Sequence, residues 1–243
     1  MGALAAQPDK KKTRYYLMHN FYLRNGTQVE RIHSFLRDTV LPATSKIHRG
    51  PVIVLEALVA PHMPQVTVIA GMESLEQYQN LRAALQASEA YNQGLDKWEK
   101  GPEPPTEHYS TQLLEATDYS PEIIVPEKPP AASRIFELRV YHSPSAWQLK
   151  ALHERFAGPE IKIFHRVGVH PILYSSTLFG PNKPNLVYLT PFDSLDAREK
   201  AWAKFGADPE WIKVRKESIE RSGQISSVIQ ISLHRAAPYS PVR

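Results

Sequence analysis

The stretch Glu137-Leu138-Arg139-Val140-Tyr141 places a carboxylate, a guanidinium and a phenol at every second position. Alternate residues of a strand share one face, so these three groups would stand side by side. A guanidinium so placed can grip an anion through two parallel hydrogen bonds, and a carboxylate or an imidazole can move a proton. A buried charge without a partner is costly, so Glu137 and Arg139 should pair with each other or with a ligand. Two readings follow. In one, the three groups are a structural ion pair capped by Tyr141; in the other, Arg139 anchors an anionic group while His19 or Glu137 exchanges a proton with it. Tyr174 and Gln230, on further strand-like runs, complete the candidate lining. No catalytic set is assigned and no metal is expected.

The facing that brings these residues together rests on apolar alternation. Phe136, Leu138 and Val140 suit a helix-covered face, which sends Ile135, Glu137, Arg139 and Tyr141 to the free face. The same logic sends Tyr15, Leu17, His19 and Phe21 inward from the first strand, making His19 the counterpart of Arg139. In the last strand Ile225, Ile229, Ile231 and Leu233 take the helix side, and Ser226, Val228, Gln230 and Ser232 the inside. The other histidines offer less. His33 and His153 lie on apolar helical stripes with Ile32 and Leu36, and with Leu152 and Phe156, as hydrogen-bonded core histidines would. His165 and His170 are five apart with no acidic residue close by, and neither HExxH nor a facial triad occurs.

The elements that must position these groups occur twice. Sliding the sequence by 120 residues gives 16 identities over the 108 positions from 14 to 121, without a gap. They cluster in turns and apolar sites: Pro51 meets Pro171, "LVAPHMP" meets "LFGPNKP", and Tyr119-Ser120-Pro121 meets Tyr239-Ser240-Pro241. Such self-similarity is the mark of an internal duplication. Each copy reads β-α-β-β-α-β, with an extra helical segment before the last strand. "RIFELRVYH" alternates as a strand, Ser145 or Ser143 starts the helix after it, and Ser194 and Asp208 start two more. That order belongs to a ferredoxin-like α+β unit. Two such units can bury their free sheet faces against each other as an α/β barrel within one chain. We expect a leader at 1–12, a first unit at 13–121, a Pro-rich linker at 122–133 and a second unit at 134–243. Each Tyr-Ser-Pro should turn the chain out of its last strand, with proline ending the ladder.

Composition closes several classes. The chain has 243 residues, 42% hydrophobic and 22% charged, as soluble globular proteins do. Its formal charge is +4, of which Lys10, Lys11 and Lys12 supply three. The body is therefore near neutral, and no nucleic-acid partner is expected. The absence of cysteine excludes disulfides and thiolate chemistry. No apolar run is long enough to span a bilayer, no Gly-rich phosphate loop occurs, and no serine sits in a nucleophile elbow. Ala3-Leu4-Ala5 has the form of a signal-cleavage remnant; on that reading the protein is periplasmic or secreted, and otherwise cytoplasmic.

The segments "ELRVY", "FDSLDARE", "ADPEW" and "APYSPVR" resemble the signature segments of the NIPSNAP family. The resemblance covers residues 134–243 most closely and the first half more loosely, where "YLMHNF" replaces "FELRVY". It implies the dimeric α/β-barrel superfold, here as a tandem-repeat member of bacterial type, and it implies no catalytic residues. Barrels of this superfold sometimes hold haem, so haem is the alternative to having no cofactor. The leading expectation is a protein that binds a small molecule or a protein partner through the barrel interior or surface, with a second copy of the chain as a further partner. The alternative is a cofactor-independent enzyme, monooxygenase- or isomerase-like, acting on a small anionic or aromatic substrate.

Overall fold

Strand pairing explains the architecture. The structure, a computed structural model, describes residues 12–128, 130 and 132–243. The proposed signal remnant, and all of the leader but Lys12, lie outside the described residues. The first half runs β1 (Tyr15–Tyr22), α1 (Thr27–Phe35), α2 (Leu41–Ile47), β2 (Val52–Val59), β3 (Gln65–Met72), α3 (Leu75–Ala87), α4 (Glu89–Glu99) and β4 (His108–Ala116). The second runs β5 (Ile135–His142), α5 (Ala146–Arg155), α6 (Ile161–Val167), β6 (Leu173–Phe179), β7 (Asn185–Phe192), α7 (Leu195–Ala207), α8 (Pro209–Ser222) and β8 (Val228–Ala236). One π-helical turn joins α1 to α2 (Leu36–Val40) and another joins α5 to α6 (Phe156–Glu160). The eight strands close into an antiparallel barrel in the order β1-β3-β2-β8-β5-β7-β6-β4. Each half supplies four adjoining strands, and the seams are β2·β8 and β4·β6. Closure leaves no exposed edge to pair with another chain. Among the described residues no helix is long and apolar enough to cross a membrane.

The helix starts follow local chemistry. Ser145, Ser194 and Asp208 cap α5, α7 and α8 by accepting hydrogen bonds from the first-turn amides. Ser143, the other candidate, instead donates to the Ile225 carbonyl at 2.7 Å.

The expected facing of β1 and β5 is inverted. The barrel interior is a cluster from both halves that includes Tyr16, Met18, Ile53, Phe136, Leu138 and Leu189. Glu137, Arg139 and Tyr141 point outward, under the helices, and so do Leu17, His19 and Phe21. Register makes the error explicit: Val140 opposes Gln230 and Arg139 opposes Ile231, so Arg139 and Gln230 lie on opposite faces. In β8 the expected facing holds, but Ser226, expected inside, precedes the strand and lines a cavity with Tyr141, Arg155 and Ile229 on the helix side. Alternation reports which residues share a face, but not which face is which once both are buried. The reason for the outcome is reach. Long polar side chains from α7 can meet a charge on the outer face, whereas the interior cluster is apolar and offers it no ionic partner.

The two Tyr-Ser-Pro segments do leave the sheet, and each fastens to the opposite half. Ser120 Oγ accepts from the Tyr174 amide at 3.0 Å, and Ser240 Oγ accepts from the Val54 amide at 2.9 Å. Tyr119 Oη is 2.6 Å from His153 Nδ1, and Tyr239 Oη is 2.6 Å from His33 Nδ1. Both histidines are thus hydrogen-bonded, each through Nδ1 to a tyrosine of the other half, and His153 also through Nε2 to Ser176 of its own. Removing either serine hydroxyl strands a buried strand amide, which costs about 1–3 kcal/mol. Ser120→Ala and Ser240→Ala should each lower the unfolding free energy by that amount in urea titrations, with no change in the denaturant slope.

Candidate functional site

A carboxylate with no exposure to solvent dictates the arrangement beneath α7. Glu137 is fully buried on β5. It accepts from Arg139 Nε on one oxygen, and from Arg198 Nε and Trp202 Nε1 on the other. Arg139 lies over the Trp202 ring, 3.7 Å from its centroid, and donates to Tyr141 Oη at 3.2 Å. Tyr188 on β7 donates to the same oxygen at 2.9 Å. Glu137, Arg139 and Tyr141 therefore bond to one another, Arg139 through Nε and Nη1 with the Trp202 ring against its face.

A second buried ion pair follows on the same face. Arg155 closes α5 and Glu160 closes the π-turn, five residues apart, with Gly158 and Pro159 between them. Arg155 Nε donates to Glu160 Oε2 at 2.7 Å, and the side chains are 8% and 1% exposed. Burial outweighs the attraction of Arg155 and pushes the Glu160 carboxyl up to about 7. Beside this pair lies a cavity of about 130 Å³, lined by Tyr141, Arg155, Glu160, Trp211, Arg215 and Ser226 among others. Among the described residues, the terminal nitrogens of Arg155 donate to no protein acceptor, Arg215 makes no ion pair, and buried Ser226 Oγ has no hydrogen-bond partner. A small volume thus faces two guanidiniums, one carboxyl that titrates near neutrality and one orphan hydroxyl. π-Turns within α-helices are frequent at such sites.

Four of the six sequence candidates belong to this face. Glu137, Arg139 and Tyr141 form the network above, and Tyr174 on β6 packs with Tyr141, Tyr188 and Phe156, its buried hydroxyl without a partner among the described residues. Burial raises the Tyr174 phenol above its usual range. The other two are elsewhere. His19 lies under the first half's helices, 2.8 Å from Thr111 Oγ1, with burial lowering its basicity. Gln230 lines a separate cavity of about 140 Å³ at the barrel mouth, with Asn20, Gln65, Gln112, Asn185 and Ser232. Arg155, Glu160, Tyr188, Arg198 and Trp202 were not among the candidates. The 120-residue offset carried their signal: it sets Arg155 on Phe35, Glu160 on Val40 and Tyr188 on Val68. In the first half Phe35 stacks on Trp98 with ring centroids 4.7 Å apart, and Val54 and Val68 fill the space beneath.

Residues 136–241, which carry this whole face, match the model of the NIPSNAP family. They are a NIPSNAP domain. Among solved structures, a NIPSNAP family protein of unknown function from Agrobacterium tumefaciens is 23% identical over 47% of this chain and 97% of its own, with a TM-score of 0.41. Whole-chain similarity is to the barrel alone. A presumed monooxygenase from Fusobacterium nucleatum aligns over 93% of both chains at 8% identity and a TM-score of 0.58. An anthrone oxidase-like protein aligns over 93% of this chain and 92% of its own, at 13% identity and a TM-score of 0.59. No curated protein matches the chain. The buried network and the Arg155–Glu160 cavity are thus features of the NIPSNAP domain, and the aromatic and aliphatic packing at the corresponding positions belongs to the other half.

Proposed function

We propose that the protein binds a small molecule in the cavity of its NIPSNAP domain, between the sheet and the helices rather than inside the barrel. The observation that carries this is the buried Arg155–Glu160 pair, which lines a cavity with two unengaged guanidinium nitrogens and the orphan Ser226 hydroxyl. A purely structural pair would be sealed by packing, as Phe35 seals the first half. We further read the 120-residue correspondence as a duplication in which one copy kept a polar pocket and the other was filled. The reading requires no cofactor, because it asks the cavity only for recognition.

Trp211 lines the cavity and lies under the Arg155 guanidinium, 5.0 Å from ring centroid to Cζ. A ligand there should alter its emission. Native mass spectrometry of the full chain purified from its own host should show a stoichiometric, non-covalent adduct of low mass. The same adduct should be missing from Arg155→Met and retained by a His19→Gln variant. An adduct that survives Arg155→Met would place the ligand elsewhere, and a clean apo mass together with no change in Trp211 emission on adding small organic acids would end the proposal.

One observation favours a second reading, that of an enzyme. A carboxyl titrating near 7 is poised for general acid–base work, and two proteins of this fold bear oxygenase or oxidase names. Conversion of the bound molecule during incubation, lost in Glu160→Gln, would decide for it.

A further inference from the structure

Among the described residues Arg155 meets one carboxylate, through Nε; its two terminal nitrogens donate to no protein acceptor, and its side chain lines the cavity. That fork is the donor pair a ligand carboxylate accepts bidentately. Arg215 adds a second guanidinium at the cavity with no acidic partner among the described residues. Among the described residues lining the cavity, Glu160 is the one acid set against these two cations. The cavity of about 130 Å³ holds roughly four waters' share of liquid volume, which suits an acid of five or six heavy atoms. The orphan Ser226 hydroxyl supplies a donor at the same wall.

Building on the pocket reading, we propose that the ligand is a small monocarboxylate and that it enters together with one proton, which Glu160 takes up. The ligand carboxylate replaces the Glu160 carboxylate as the acceptor of the Arg155 guanidinium, and the displaced side chain is left neutral. No bond to carbon is made or broken; one proton passes from solvent to a Glu160 oxygen. Two carboxylates sharing one desolvated cavity repel, and protonating one relieves that. The groups facing Glu160 permit the exchange. Arg155 from α5 and Arg139 from β5 hold its ionised form, while Tyr141, Tyr174, Tyr188 and Tyr119 surround it with phenols that burial keeps protonated. The carboxyl itself, titrating near 7, sits where neutral solution can load or unload it.

Calorimetry of the full chain with propionate, in pairs of buffers of different ionisation enthalpy, tests this. The expected result is about one proton taken up per propionate at pH 8.5 and close to none at pH 6. Affinity should fall about tenfold per pH unit above 7, as a single linked proton requires. Glu160→Gln should bind propionate with a flat pH profile and no proton uptake. Arg155→Met should not bind, and Arg215→Gln, at an exposed position, should bind at least tenfold more weakly. Proton-free, pH-independent binding by the unaltered protein would overturn the coupling and leave the pocket standing. Equal affinity for propionamide would overturn the carboxylate. Failure of both probes to bind, with no adduct on the native protein, would overturn the pocket as well.

Discussion

Glu137→Ala should lower the unfolding free energy by about 3–5 kcal/mol, the range for breaking a buried ion pair by removing one partner. The carboxylate has no exposure and is the shared acceptor of Arg139, Arg198 and Trp202. Its loss leaves the Arg139 guanidinium without its carboxylate, under Trp202 and against two phenols. Arg198 suffers less, since it also donates to Glu199. The effect should come from the orphaned charge more than from lost attraction, because replacing a whole buried pair by apolar groups of similar volume is often neutral or stabilising. Glu137→Leu combined with Arg139→Met, closer to the Leu17 and His19 of the other half, should therefore cost less than Glu137→Ala alone. Urea unfolding of the two variants decides the point: a loss under 1 kcal/mol for Glu137→Ala would show that water already reaches the network, and a larger loss for the double variant would show that the pair is net stabilising.

Stability relative to Glu160→Gln should fall by about 3 kcal/mol between pH 4.5 and 7 and then level off. The folded carboxyl titrates at about 7, above its ordinary value of 4.5. Between those limits the folded state binds more protons than the unfolded chain, so raising the pH favours unfolding. The contribution is full below 4.5 and is lost as the pH passes through 7. The buried histidines act in the opposite sense. His234 is held at about 4 and His33 and His153 are lowered, all chiefly by burial, so they favour folding as pH rises. Those groups are common to both proteins and cancel in the difference. Thermal or urea unfolding at half-unit pH steps measures it; a flat difference would mean that Glu160 is solvated or fully held by Arg155.

The fold was legible because its signals are local and doubled. Proline turns, serine caps and apolar spacing recur at one offset, so each element was read twice, and the hydrogen-bonded histidines followed from their matched places on two apolar stripes. What escaped was long-range. Nothing near Tyr239 announces that its hydroxyl will pair with His33, 206 residues away. The facing of β5 was lost because a barrel buries both sides of a strand, and an apolar residue then fits either. Arg155 and Glu160 escaped for a related reason. Five apart around Gly158 and Pro159, they fall outside the spacings at which helical side chains normally meet, and only the π-turn brings them together. A comparison of the halves for differences, rather than identities, would have marked both positions, where charge stands opposite Phe35 and Val40.

The crossed tails have a consequence for how the molecule comes apart. Each half ends in a strap buckled onto the other, and the seams β2·β8 and β4·β6 join the same two pieces. Neither half can open without freeing the strap it holds and baring two strand edges. The chain is thus one melting unit, although a proline-rich spacer divides it. That spacer sets how often the halves meet while folding; the shape they take once met is held by the straps and seams, and a nick in the spacer would leave both in place.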